Sequence, residues 1–189
     1  MNAEQLKETC QFILNAEARR DGNGHLVVYK LPAGDGGGRY EVAGINEKYD
    51  NAVVNQLVVL LNKKLPTAAE ELALAYYATN TAAAALWTSC PAIEAWLRDA
   101  VFNRGRAGAA RCLQIALGLH VDGQVGPRTL AAVKDAEQDP RRLLRELHAA
   151  AETYERRIAP PVGKRAKFWR GLVNRWNARL EFCLSLLPS

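Results

Sequence analysis

Apolar side chains recur along most of this chain at the three-to-four-residue spacing of helices that bury one face. Ile93, Trp96, Leu97, Ala100 and Val101 form one such stripe, ending near Asn103-Arg104-Gly105, where Gly105 is the natural helix stop. Ala109, Ala110, Leu113, Ala116 and Leu117 repeat the period and predict a second helix running to Gly118. A tight Asp122-Gly123 turn follows. Gly126-Pro127 breaks the chain again, and Pro127 is pre-set as the first residue of a third helix carrying Leu130 and Val133.

The rest of the chain extends the same pattern. Leu6, Cys10, Ile13, Leu14 and Glu17 define a first helix whose inner face ends in a carboxylate, closed by the turn-forming cluster Asp21-Gly22-Asn23-Gly24. Two stretches switch to the composition of strands: His25 to Leu31, and Arg39 to Ile45 beyond the glycine-rich loop Pro32 to Gly38. Val53, Val54, Leu57, Val58 and Leu61 restore the helical period and stop before Pro66. Leu72, Tyr76, Ala83, Leu86 and Trp87 predict another helix up to Cys90. Leu143, Leu144, Leu147, Ala151, Tyr154 and Ile158 define a helix from Asp139-Pro140 to Pro160-Pro161. A last helix, from about Gly163 to Leu187, places Trp169, Leu172, Val173, Trp176, Leu180, Cys183 and Leu187 on one side. The expected fold class is α+β and mostly helical, with a small β-hairpin beside a helical body.

Composition narrows the function classes. With 189 residues the chain fits a single domain, long enough to bury roughly 70% of its unfolded surface without metals or disulfides. No apolar run reaches the roughly 18 residues of a membrane span, so no membrane insertion is expected, and no secretory signal is read at Met1-Asn2-Ala3-Glu4. A formal charge of +5 favours an anionic partner: nucleic acid, a membrane surface or the bacterial cell wall. Lys164, Arg165, Lys167, Arg170, Arg175 and Arg179 make the last helix basic, with its tryptophans on the other, buried side. A nucleic-acid binder interleaves exposed aromatics with such charges, so no nucleic acid is expected, and the basic face reads as a solvated surface suited to an anionic wall. Cys10, Cys90, Cys112 and Cys183 lack metal-ligand spacing, and three of them fall on apolar helical faces, which predicts buried free thiols.

The central stretch carries a family resemblance. Phe102-Asn103-Arg104-Gly105 through Gly118, followed by VDGQVGPRTLAAV, resembles the central and C-terminal part of the glycoside hydrolase family 108 muramidases, lysozyme-like enzymes of phages and bacteria. Phe168-Trp169-Arg170-Gly171-Leu172-Val173-Asn174-Arg175 resembles that family's closing segment, and together these cover roughly half the chain. The resemblance implies one lysozyme-like domain over 1–189, with a catalytic helix and hairpin in 1–50 and a helical body in 51–189. It implies cleavage of the β-1,4 bond between N-acetylmuramic acid and N-acetylglucosamine, with no metal or organic cofactor. Peptidoglycan glycan strands would be the partner of a monomer, with an immunity or delivery protein as a further one. The chain would be made in the cytoplasm and act at the cell wall or periplasm after delivery, as an antibacterial effector or a lysis protein.

Glycosidic cleavage needs a carboxylic acid held protonated, and usually a second carboxylate that activates water or supports charge at the anomeric carbon. Glu17, at the end of the first helix beside apolar residues that favour its neutral form, is the expected acid. Asp35-Gly36-Gly37-Gly38 and Gly44-Ile45 resemble the two ends of the family's hairpin, and either Glu41 or Asp35 is the second carboxylate. Arg39 and Tyr40 on the hairpin, and Asn103 through its side-chain amide, are the candidate substrate-binding residues; a helix cap is the other reading of Asn103. The family has two glycines after its glutamate, whereas Ala18-Arg19 stands here. That departure favours the competing reading of a non-catalytic peptidoglycan-binding module. A lytic transglycosylase, using the same acid, is the third.

Overall fold

The computed structural model describes residues 1–32, 38–158 and 166–188. Its internal contacts gather into two compact units, Cys10–Thr79 and the combination of Met1–Thr9 with Asn80–Ser189. Helix α1 (Ala3–Glu17) contributes its first turns to the larger unit and its last to the smaller. Its start is fixed by a reciprocal cap: the Gln5 N–H donates to Asn2 Oδ1 at 2.8 Å and the Asn2 N–H to Gln5 Oε1 at 3.0 Å.

In the smaller unit, Ile13 and Leu14 of α1 are fully buried. The turn after α1 is held by Asp21, whose Oδ1 accepts from the Asn23 and His25 N–H groups, both at 2.9 Å. These bonds, the one from His25 foremost, hold the Asp21 carboxyl below the usual range. Three short antiparallel strands follow in the order β1 (Val28–Lys30), β2 (Tyr40–Val42) and β3 (Ile45–Asn46). The expected second strand, Arg39 to Ile45, is thus two strands. Val42 pairs with Ile45, both buried, across the two-residue turn Ala43-Gly44. Helices α2 (Asn51–Asn62) and α3 (Pro66–Asn80) complete this unit.

The buried face of α3 is Ala69, Ala73 and Tyr77, not the stripe of Leu72 and Tyr76 expected from the larger apolar side chains. Nor does the helix reach Cys90. It ends at Asn80, and Ala82–Leu86 forms a separate 3-10 turn that buries Ala84 and leaves Leu86 exposed at 75%. Alanines carry too little apolar weight to mark a face, so the period was set in the sequence by the wrong residues.

The larger unit is built on α4 (Pro91–Ala116), packed with α6 (Pro140–Ile158) and α7 (Ala166–Ser185), while α5 (Pro127–Ala136) adds Val133 to the core. Its core includes Trp96, Leu97, Leu113, Leu144, Leu147, Trp176 and Cys183. The N-terminus of α4 is capped from a distance. Glu137 accepts from the Thr88 hydroxyl, the Ser89 hydroxyl and N–H (2.8 and 2.9 Å) and the Cys90 N–H (3.3 Å). Burial works against charge at Glu137, yet these donors hold its carboxyl below the usual range.

The predicted stop at Gly105 is present as a kink rather than a loop: α4 continues on both sides of a single residue at φ 67° and ψ 168°. That region is essentially closed to residues with a Cβ. Nearby, a Cβ on Gly108 would stand 2.6 Å from Arg104 Cβ, so the turn after the kink also needs a bare backbone. Gly105→Ala is expected to cost about 1–3 kcal/mol and lower the melting temperature by several degrees in calorimetry. An unchanged transition would mean that the kink is not under constraint.

The VDGQVGPRTL stretch is organised by a residue outside it. Gln114, buried on α4, donates to Asp122 Oδ1 (2.6 Å) and the Gln124 carbonyl (2.9 Å) and accepts from the Gly123 N–H (2.8 Å). Cys10, Cys112 and Cys183 are buried and Cys90 half-buried, and none of them forms a disulfide among the described residues. No described helix is long and apolar enough to cross a membrane.

Candidate functional site

Glu17 is the last residue of α1 and is half-buried in the smaller unit. Its side chain lies against the β2–β3 turn. A Cβ placed on Gly44 would stand 2.9 Å from Glu17 Oε2, 3.0 Å from its Cβ and 3.2 Å from its Cγ. Gly44 also has φ 69°, so both conformation and space call for glycine.

The turn itself is constrained. Ala43 has φ 52°, which costs a residue with a Cβ roughly 1–2 kcal/mol, and positive φ at both central residues is the geometry that matches strand twist in a two-residue hairpin. The Tyr77 hydroxyl donates to the Ala43 carbonyl at 2.5 Å, and both residues are buried. Tyr77 was not singled out in the sequence. Its hydroxyl is a polar group on a face otherwise marked only by alanines, so only its partner reveals it.

Glu41 occupies the centre of β2, half-buried, paired across the sheet with Tyr29 and Asn46. Directly paired residues share a sheet face, the one opposite buried Val42. Arg19 stacks on Tyr29 with Cζ 3.6 Å from the ring centre. Asn46 Oδ1 accepts from the Gly38 and Lys48 N–H groups at 3.0 and 2.9 Å, tying the far end of the glycine loop to β3. Asp35 lies outside the described residues.

The two hairpin residues expected to bind substrate have protein partners. Arg39 is exposed and paired with Glu47, Nη2 to Oε1 at 2.8 Å and Nε to Oε1 at 3.1 Å, which holds the Glu47 carboxyl below its usual range. Tyr40 donates its hydroxyl to Asn55 Oδ1 at 3.2 Å, and Asn55 Nδ2 donates to Asn51 Oδ1 at 2.8 Å. Beside them, Tyr76 donates to Asp50 Oδ2 at 2.5 Å; burial first, and then that carboxylate, push the phenol up.

Asn103 belongs to the larger unit. Its amide nitrogen folds back on the preceding turn, donating to the Asp99 carbonyl at 2.9 Å and to Asp99 Oδ1 at 3.3 Å. Asp99 is fully buried and also accepts from Arg175 (2.7 Å) and Arg179 (3.0 Å). This corrects the reading of the last helix as a solvated basic face. Arg179 is 4% exposed, on the same side of α7 as Trp176, because residues three apart share a helix face. Arg170 is exposed as expected, while Lys164 and Arg165 lie outside the described residues. Among the described residues, no group of three or more His, Cys, Asp or Glu is placed to hold a metal ion.

Residues 108–177 match a family model described as a predicted peptidoglycan domain. The whole chain is similar in fold to the solved structure of Brucella abortus SagA, with a TM-score of 0.66 over 98% of this chain and 97% of that one, at 19% identity. No curated protein matches the sequence. The fold is therefore α+β and mostly helical, with a three-stranded antiparallel sheet. The matched segment supports a peptidoglycan-related role.

Proposed function

We propose that this chain is a peptidoglycan-cleaving glycosidase of the muramidase type, similar to glycoside hydrolase family 108, with Glu17 as its acid. The observation that carries the reading is the seating of Glu17 on Gly44: a carboxyl at a helix end, fixed by contact with a constrained turn, is the kind of rigid placement that acid catalysis requires. The peptidoglycan match of residues 108–177 supports the choice of substrate.

In this mechanism neutral Glu17 gives its proton to the glycosidic oxygen as the bond to the anomeric carbon breaks. Glu41 or Asp35 takes a proton from the water that adds there, or supports the positive charge. A separation of about 6.5–9.5 Å between the carboxyls would invert the configuration, and about 5–5.5 Å would retain it. Glu41 is held by pairing on both sides, so Glu41→Gln is expected to lower turnover more than Asp35→Asn, with substrate binding little changed. The reverse order in a sacculus-release assay would exchange their roles.

Gly44→Ala probes the seat directly. The added methyl meets the root of the Glu17 side chain as well as its tip, so a simple rotamer change does not relieve it. A displacement of the order of 1 Å in a catalytic group costs roughly 100-fold, and that loss of activity is expected together with a stability loss of about 1–2 kcal/mol. Activity within twofold of the parent would argue against a catalytic Glu17.

Mass spectrometry of muropeptides released from purified sacculi tests the whole reading. Reducing ends are expected. Anhydro ends would instead mark a lytic transglycosylase. No release would favour the binding module, the reading that Ala18-Arg19 in place of two glycines supports. Action at the cell wall, after delivery as an effector or lysis protein, belongs to the same proposal.

A further inference from the structure

Of the three arginines in the smaller unit, two are committed to carboxylates, Arg20 to Glu70 and Arg39 to Glu47. Arg19 is held differently. Its guanidinium lies over the ring of Tyr29, with Cζ 3.6 Å from the ring centre, and makes no hydrogen bond or ion pair among the described residues. Stacking occupies one face of the guanidinium and leaves its five N–H donors, which point outward in the plane. Arg19 is exposed, so a ligand can reach them. A fork already ordered on a ring loses less freedom on binding an acceptor than a freely rotating arginine does.

Its place gives the fork a use. Arg19 is two residues past Glu17, which brings their Cα atoms within about 7 Å. Tyr29 is the direct partner of Glu41 across the sheet, at a Cα separation of about 5 Å. The Tyr29 ring, with the guanidinium stacked on it, therefore lies on the side of the sheet that carries Glu41. The backbone is fixed as well: the Val27 N–H donates to the Arg19 carbonyl at 3.2 Å, and Arg20 and Leu26 form a β-bridge. An arginine that pairs with neither carboxylate thus stands beside the residues that supply both.

A planar fork of N–H donors matches the two oxygens of a carboxylate. Peptidoglycan carries its carboxylates in two places, the lactyl group of a muramic residue without peptide and the stem peptide itself. We propose, on the peptidoglycan reading above, that Arg19 binds a carboxylate of the wall next to the glycosidic bond and makes the chain selective for strands that bear one. Ala18-Arg19 in place of two glycines is then a gain of specificity, since glycine at position 19 would supply neither the charge nor the stack.

The test measures binding by calorimetry on the full chain carrying Glu17→Gln, in which the strands stay intact. The ligands are peptide-free glycan strands and peptide-bearing strands, each before and after conversion of the carboxylates to methylamides. The unmodified form of at least one ligand is expected to bind about fivefold more tightly than its methylamide, and adding Arg19→Gln should abolish that difference while leaving methylamide binding unchanged. Dependence on Arg19 with peptide-free strands assigns the lactyl carboxylate; dependence only with peptide-bearing strands assigns the peptide. Arg145→Gln, an exposed arginine on α6, removes the same charge elsewhere and should change no affinity. Equal binding of each ligand and its methylamide, an Arg19→Gln loss that is the same for both forms, or an equal loss in Arg145→Gln would overturn the proposal. The first comparison uses the native Arg19 and does not depend on how its variant folds. Should the parent leave sacculi uncut, the muramidase reading falls, while the same titrations on the parent still decide the carboxylate site.

Discussion

Glu17→Gln is expected to remove peptidoglycan cleavage while leaving the fold unchanged. The amide has the size and shape of the carboxyl and keeps the contact with Gly44, but it has no acidic proton to give to the leaving oxygen. General acid catalysis contributes typically about 10²–10⁴-fold, so release of muropeptides should fall by at least two orders of magnitude. Circular dichroism and the melting temperature should match the parent, because the substitution alters one half-buried group at a helix end. Lysis at the parental rate would exclude Glu17 as the acid. Loss of lysis with loss of structure would instead mark a folding role, and the unchanged spectrum is therefore part of the expected result.

Asp99→Asn is expected to have the largest effect on stability. Asp99 has no exposure, and its two oxygens neutralise Arg175 and Arg179, whose side chains are 17% and 5% exposed. Removing one member of such a group leaves buried charge without compensation, which costs about 3–5 kcal/mol. For a chain of this length that corresponds to a fall in melting temperature on the order of 10 °C. A contrasting pair on α6 sets the scale. Arg156 and Glu152 are close in space, but their side chains are 51% and 40% exposed, and solvent screening leaves such a pair worth about 0.3–0.5 kcal/mol. Glu152→Gln should therefore shift the transition by no more than about two degrees, and equal effects of the two substitutions would show that Asp99 is not the organising charge.

Several parts of the architecture were legible because local chemistry and tertiary packing agree there. Pro127 opens α5, Pro140 opens α6, and the apolar stripe of α2 buries Val54 and Leu57 as its spacing requires. Gly105 was readable as a break because no other residue suits that backbone, although the sequence could not show that the helix resumes at once. Glu17 was found at the end of α1 from the period of the apolar residues before it, and its proposed role came from family resemblance. The contact that seats it came from neither.

Local pattern by itself determined where most helices lie and which of their faces are apolar, since periodicity and the backbone preferences of glycine and proline act over a few residues. The partners of polar groups were decided only by the tertiary structure. Tyr77 reaches Ala43, Glu137 caps α4, Gln114 orders the Asp122 turn, and Asp99 draws Arg175 and Arg179 into the core. A buried polar side chain is tolerated where its hydrogen bonds and charge are met. Those partners can lie eighty residues away, as Arg179 does from Asp99, and no spacing rule along the chain records them.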